Sequence, residues 1–161
     1  MTKICIYGAG AIGGYMAAAL AEAGADVSLI ARGPHLAAIK QNGLTLLKNG
    51  EAKTYQLTAS DNPADLGPQD FVIISLKANA ISKIADAMQP LLGPETAVVS
   101  AVNGLPWWYF HQANTGTDLD DKPLESVDPG GDIWKKIGPE RALGCVVYPA
   151  CEIAEPGVIQ H

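Results

Sequence analysis

The sequence predicts an α/β fold, a doubly wound parallel sheet with helices on both faces. Short apolar runs alternate with segments of helical periodicity, the pattern of successive strand–helix units. The first run, KICIY at residues 3–7, is apolar on both faces, as a covered parallel strand requires. It leads into Gly8-Ala9-Gly10-Ala11-Ile12-Gly13, a G-x-G-x-x-G that opens a helix and is followed by a second strand.

The elements follow in order. A helix runs from Ala11 to Ala23, and Gly24 sits where a left-handed cap belongs. Asp26–Ala31 is the second strand, ended by Arg32-Gly33-Pro34, and His35–Gln41 forms a short helix. Residues 43–57 read as two strands around Asn49-Gly50, a strong hairpin dipeptide. A polar connection at 60–67 precedes a third buried strand, 69–76. Ile81, Ile84, Ala85 and Met88 lie at helical spacing and predict a helix over 80–92. A fourth buried strand at 94–102 ends in Asn103-Gly104. Residues 111–142 are polar and predict a long functional or mobile loop. Leu143–Tyr148 is apolar again, with Gly157–Gln160 as its expected hairpin partner. The chain stops at His161 inside a strand-like run, which predicts a truncated protein.

Composition narrows the function. The chain has 161 residues, 48% hydrophobic and 17% charged, so it is globular rather than disordered. Its net charge of −6 argues against a general nucleic-acid binder. Ile4–Ala21 is an uncharged run of 18 residues, long enough to suggest a membrane span. Its glycines divide it into strand, turn and helix, so no bilayer is needed. Cys5, Cys145 and Cys151 are odd in number and lack Cys-x-x-Cys spacing, which points to a reducing cytoplasm rather than a disulfide framework. No His, Cys or Asp set has metal-ligand spacing, and the acids at 118, 120 and 121 lack a calcium-loop pattern.

In a doubly wound sheet, ligands bind beyond the carboxyl ends of the strands. In the fingerprint, Gly8 permits the tight turn, Gly10 lets backbone approach a pyrophosphate, and Gly13 lets helix pack on strand. Together with Ala9, Ala11 and Ile12 they form the expected cofactor loop, at the positive end of a helix dipole. Arg32 lies at the ligand edge of the second strand, whereas Asp26 lies at the opposite edge. A guanidinium there suits a 2′-phosphate, so NADPH is expected over NADH. Lys77 could bind the cofactor or a substrate carboxylate. Asn103 could meet the nicotinamide, its ribose or the substrate. Trp107 and Trp108 are adjacent and so face different ways.

The stretches KICIYGAGAIGGYMAAALAEAGADVSLIAR, SLKANA, AVNGL and GCVVY resemble the ketopantoate reductase (2-dehydropantoate 2-reductase) family. The resemblance covers nearly the whole chain, as the amino-terminal, Rossmann-type domain only. It implies NADPH-dependent reduction of a small-molecule 2-oxo acid to a 2-hydroxy acid, in pantothenate biosynthesis. It implies that Gly8, Gly10 and Gly13 hold the pyrophosphate, Arg32 the 2′-phosphate, and that Lys77 and Asn103 lie near nicotinamide and substrate. The family's general-acid lysine and substrate-binding carboxylate belong to a following helical domain, and no residue of this chain takes those roles. Residues 111–142 exceed what the family needs, which leaves the 2-oxo acid open. A related dehydrogenase of another oxo or amino acid, or a nucleotide-sensing module, are the rival readings. Residues 1–161 are expected to bind NADPH, to turn over little alone, and to expose apolar surface that favours a homo-oligomer.

Overall fold

The computed structural model describes residues 1–161. Six strands form one parallel sheet: β1 (Lys3–Tyr7), β2 (Asp26–Ile30), β5 (Thr58–Ser60), β6 (Gln69–Ile74), β7 (Leu92–Ala101) and β8 (Ala142–Cys145). Their order is β5-β2-β1-β6-β7-β8, and every neighbouring pair is parallel. This is the doubly wound dinucleotide-binding order, with its switch point between β1 and β6. Two apolar clusters cover the faces. One gathers Ile6, Leu29, Ile39 and Leu44 around helix α1 (Ala11–Glu22) and helix α2 (Gly33–Asn42). The other holds Val72, Ile74, Met88 and Val98.

The Asn49-Gly50 hairpin forms as expected, from β3 (Leu44–Lys48) and β4 (Glu51–Tyr55). Both turn residues have positive φ, 53° and 81°. The carboxy-terminal pairing differs from expectation. β8 joins the main sheet beside β7, and the partner of β10 (Val158–Gln160) is β9 (Glu152–Glu155). β10 also runs parallel to β3, so the two hairpins make a second sheet, β4-β3-β10-β9. Gly14 explains the fit. A Cβ there would stand 2.6 Å from Ile159 Cγ1, so the bare position lets β10 lie on α1.

Two further expectations are revised. The helix over 80–92 is reduced to α3 (Ile81–Ile84), followed by turns and a 3-10 turn at Gln89–Leu91. Pro90 lacks an amide and sits in the first turn of that 3-10 segment, where the missing donor is not needed. Ile81, Ala85 and Met88 are still buried, so the periodicity reported the core correctly. Residues 111–142 contain a helix of their own, α4 (Asp132–Ile137), in the crossover from β7 to β8. Asp128 is fully buried and caps it, its two carboxylate oxygens accepting from the amides of Ile133 and Trp134 at 2.9 Å each.

Candidate dinucleotide site

The glycine loop leaves β1 at the switch point and is tied on both sides. The amides of Gly8 and Ala9 both donate to the Ile30 carbonyl at 3.0 Å, at the end of β2. Ser75 Oγ, just beyond β6, donates to the Gly8 carbonyl at 2.7 Å. Gly8 has φ +102°, and a Cβ there would meet Leu76 Cγ at 2.9 Å. A Cβ on Gly13 would collide with the Gly8 carbonyl and Ser75 Oγ and stand 2.9 Å from Ile6 Cγ2. The protein itself therefore demands glycine at both positions. Gly10 is different: a Cβ there would have only the Gly8 carbonyl near it, at 4.0 Å. The space outside Gly10 is open to a ligand.

Helix α1 starts immediately after this loop. Gly10 caps it without a side chain, and its first turn holds no acidic residue. The amides of Ala11, Ile12 and Gly13 make no hydrogen bond within the chain. They are the unpaired donors that a helix N-terminus offers an anion.

A crevice of about 530 Å³ opens over the loop. Gly8, Ala9, Gly10, Arg32 and Lys77 line it. Ala11, Ile12 and Gly13, also expected in the cofactor loop, are the first residues of α1 and do not line it. Lys83 also lines it, so three cations face one carboxylate, Asp61, in a chain of net charge −6. None of the three cations is in an ion pair within the chain, the pairs being made by Lys53, His111 and Lys136. Arg32 stands at the N-cap of α2, exposed, where a bound anion would also meet that helix dipole.

Sequence reasoning missed part of this lining. Lys83 read only as a helix position, Asp61 as a polar linker residue, and His35 as the first residue of a short helix. The His35 Nδ1 accepts from the Gly157 amide at 3.0 Å, which leaves its proton on the buried Nε2, near the Ala9 backbone. Burial holds its pKa below the usual histidine range, opposed by the Ala9 backbone. Burial likewise pushes the Tyr7 hydroxyl up, reinforced by Cys5 and opposed by the Arg32 charge. The Cys5 thiol, wholly buried under the loop, is pushed up to about 12 by desolvation despite a hydrogen bond from Ser28. No group of three His, Cys, Asp or Glu side chains is placed to hold a metal. No helix is long and apolar enough to cross a membrane.

Asn103 does not lie in this crevice. It lines a second cavity, beyond the ends of β7 and β8. Lys77 lines the crevice and its neighbour Ala78 the second cavity, so the two adjoin there. The Asn103 side chain is already engaged with backbone. Its Nδ2 donates to the Val147 carbonyl at 2.9 Å, and the Val147 amide donates to its Oδ1 at 2.8 Å. One N–H and one lone pair remain for anything else.

Comparison with known proteins gives a consistent picture. A family model described as ketopantoate reductase PanE/ApbA matches residues 4–108. A 2-dehydropantoate 2-reductase of Mesorhizobium japonicum is 51% identical over 160 residues, 99% of this chain and 48% of that protein. The crystal structure of a ketopantoate reductase from Ralstonia solanacearum superposes with TM-score 0.90 at 43% identity, covering 100% of this chain and 49% of that one. A PanE/ApbA family ketopantoate reductase from Ralstonia eutropha has TM-score 0.75 at 28% identity, covering 99% and 46%. The chain spans about half the length of these relatives.

Proposed function

The chain belongs to the ketopantoate reductase PanE/ApbA family, and from that premise we propose that it is the NADPH-binding half of a 2-oxo-acid reductase. The family and fold imply a nicotinamide cofactor; the phosphorylated form is our reading of Arg32. A nicotinamide dinucleotide, when bound, supplies the hydride. The observation that carries the proposal is the crevice at the switch point, lined by the glycine loop ahead of α1 and by three unpaired cations in an acidic chain.

Each residue has a separate task. The amides of Ala11, Ile12 and Gly13 receive the pyrophosphate, which approaches over the bare Gly10. Arg32 clamps the 2′-phosphate, a group of roughly −1.5 to −2 charge. Lys77 and Lys83 neutralise the rest of the polyanion, and Lys77 is placed to hold a substrate carboxylate where the two cavities adjoin. Asn103 fixes the segment after β8 through Val147 and keeps one donor for nicotinamide or substrate. Reduction of a carbonyl also needs a proton donor at the developing alkoxide. We assign that task, and the second substrate anchor, to the further half of the length its relatives have. On this reading residues 1–161 form one dinucleotide-binding domain of an enzyme of pantothenate biosynthesis. Three free thiols suit work in the cytoplasm.

The test is cofactor discrimination. Losing a charge-assisted contact costs about 1.5–3 kcal/mol. Arg32→Ala should therefore weaken NADPH roughly ten- to a hundredfold and change NADH little, by calorimetric titration. Equal losses for the two cofactors would show that Arg32 does not read the phosphate.

A further inference from the structure

Tyr7, the last residue of β1, is 6% exposed and lines the cofactor crevice. Its ring packs with Ile30, Ile74 and Ile81 in the apolar cluster on one face of the main sheet. Its hydroxyl makes no hydrogen bond within the chain. Unlike the unpartnered Ser100 Oγ or Trp107 Nε1, it is not sealed in the interior either. The small part of Tyr7 that stays accessible therefore includes the hydroxyl, and it opens on the crevice. Phenylalanine would fill the same slot in the core. The hydroxyl is an addition that packing does not require, and buried polar groups are seldom left without a partner.

Strand register tells what the hydroxyl stands beside. Tyr7 pairs with Ile30 of β2, and residues paired in this way share a face of the sheet. Side chains alternate along a strand, so Ile30 and Arg32 share that face while Ala31 lies on the other. The packing agrees, with Ile30 in the cluster of Tyr7 and Ala31 in the opposite one. Arg32 is itself extended, with φ −142° and ψ 161°, so the alternation carries through to it. Its charge is near enough to work against the effect of burial on the hydroxyl. Helix α1 packs on the opposite face through Ala17 and Ala18. The hydroxyl thus stands with Arg32, away from the face on which the pyrophosphate helix lies.

We propose that the Tyr7 hydroxyl is a second reader of the 2′-phosphate, donating to it beside the Arg32 guanidinium. The proposal rests on the NADPH reading above and deepens it. It makes Tyr7 a specificity residue that selects the phosphorylated cofactor together with Arg32. A phenol is protonated at neutral pH, so it offers a donor and the phosphate oxygens accept. An O–H donating to an anionic oxygen makes a short, charge-assisted bond, stronger than one to the ribose hydroxyl of the unphosphorylated cofactor. The two readers differ in preparation. Arg32 is exposed and must be ordered when the ligand arrives. The Tyr7 ring is fixed by the core beforehand, so its donor is preorganised.

The test is Tyr7→Phe in the protein expressed from its complete reading frame, titrated by calorimetry with NADPH and NADH, and with 2′,5′-ADP and 5′-AMP as the adenosine ends alone. Losing one charge-assisted contact should weaken NADPH and 2′,5′-ADP about tenfold and leave NADH and 5′-AMP within about twofold. Urea unfolding should show no loss of stability, since the phenyl ring fills the same space. Equal weakening of the phosphorylated and unphosphorylated ligands would overturn the proposal, because the hydroxyl would then serve the ribose or the fold. Unchanged NADPH binding would overturn it too, because the hydroxyl would then meet only water. Arg32→Ala, titrated alongside, separates this proposal from the reading beneath it. Selective loss of NADPH there, with no selective loss in Tyr7→Phe, would sink the role of Tyr7 and leave the NADPH reading standing. An unaltered protein that bound neither cofactor would sink both.

Discussion

The glycine loop separates what the fold demands from what a ligand demands, and a pair of substitutions can read the two apart. Gly13→Ala places a methyl against the Gly8 carbonyl, Ser75 Oγ and Ile6 Cγ2. The carbonyl is backbone and cannot rotate away. Ser75 could rotate only by giving up its 2.7 Å bond to that carbonyl. Overpacking of this kind costs about 1–3 kcal/mol. The better helix propensity of Ala returns about 1 kcal/mol. The net expectation is a loss of about 0–2 kcal/mol, with the loop displaced and NADPH binding weakened as a consequence. Gly10→Ala meets nothing closer than 4.0 Å and keeps an ordinary φ of −77°. Exchanging Gly for Ala at an N-cap should cost less than about 1 kcal/mol. Its methyl, however, enters the space through which the pyrophosphate must come, so NADPH should weaken at least tenfold, about 1.4 kcal/mol. Urea unfolding reports the stability of each variant, and calorimetry the affinity. If Gly10→Ala bound NADPH like the unaltered chain, the reasoning that a ligand keeps position 10 bare would be refuted.

Other expectations follow from the same geometry. His35 is held neutral by burial, so the unfolded chain takes up its proton first as pH falls. Its contribution is complete above about pH 7.5 and is lost as pH falls below about 6.5 toward its folded pKa. His35→Gln should flatten that part of a stability-versus-pH curve, and an unchanged slope would count against the assignment. Asn103→Ala removes two hydrogen bonds to Val147 and should cost about 1 kcal/mol, with faster amide exchange at Val147. Exchange at Val147 as slow as before would mean the clamp does not hold that segment. The Cys5 thiol, at a pKa of about 12 and fully buried, should resist alkylation at pH 8 while Cys145 and Cys151 react. Labelling of all three at one rate, followed by mass spectrometry, would contradict the burial.

Local signals carried most of the fold. The β1–loop–α1 unit was legible because each glycine answers a backbone requirement, and Asn49-Gly50 because a hairpin turn needs two positive φ values. The pairing of β8, β9 and β10 was not legible. Leu143–Tyr148 and residues 157–160 are both apolar and close in sequence, and sequence alone favours the nearer partner. What decided otherwise is long-range: β7 offers β8 a parallel edge, and Gly14 offers β10 a seat on α1. The helical spacing of Ile81, Ala85 and Met88 reported which residues are buried, but not that α3 ends at Ile84 and gives way to turns. At the site, Gly8, Ala9, Gly10, Arg32 and Lys77 could be placed because a strand end fixes the edge of the sheet at which its next residue lies. Lys83, Asp61 and His35 reach the crevice from elements whose rotation no local pattern specifies. Asn103 was placed at the right edge, but its engagement with Val147 depends on a residue 44 positions away.

The second sheet gives these distant pieces a common role. The loop over the crevice is positioned by α1, and α1 is held from behind by β3 and β10, against which Gly14 is bare. The same hairpin sends the Gly157 amide to His35 on α2 and places Ile153 in the crevice lining. Residues 152–160 thus brace both helices whose N-termini face the crevice. A doubly wound sheet alone fixes where those N-termini point. How closely they approach one another depends on packing behind them, and here that packing comes from the last elements of the chain. A lesion in β10, such as Ile159→Ala, removes a fully buried side chain and should cost about 2–5 kcal/mol. Its effect should reach beyond stability. With α1 less firmly seated, the amides of residues 11–13 lose their fixed relation to Arg32, and a ligand that spans both loses affinity although nothing it touches has changed.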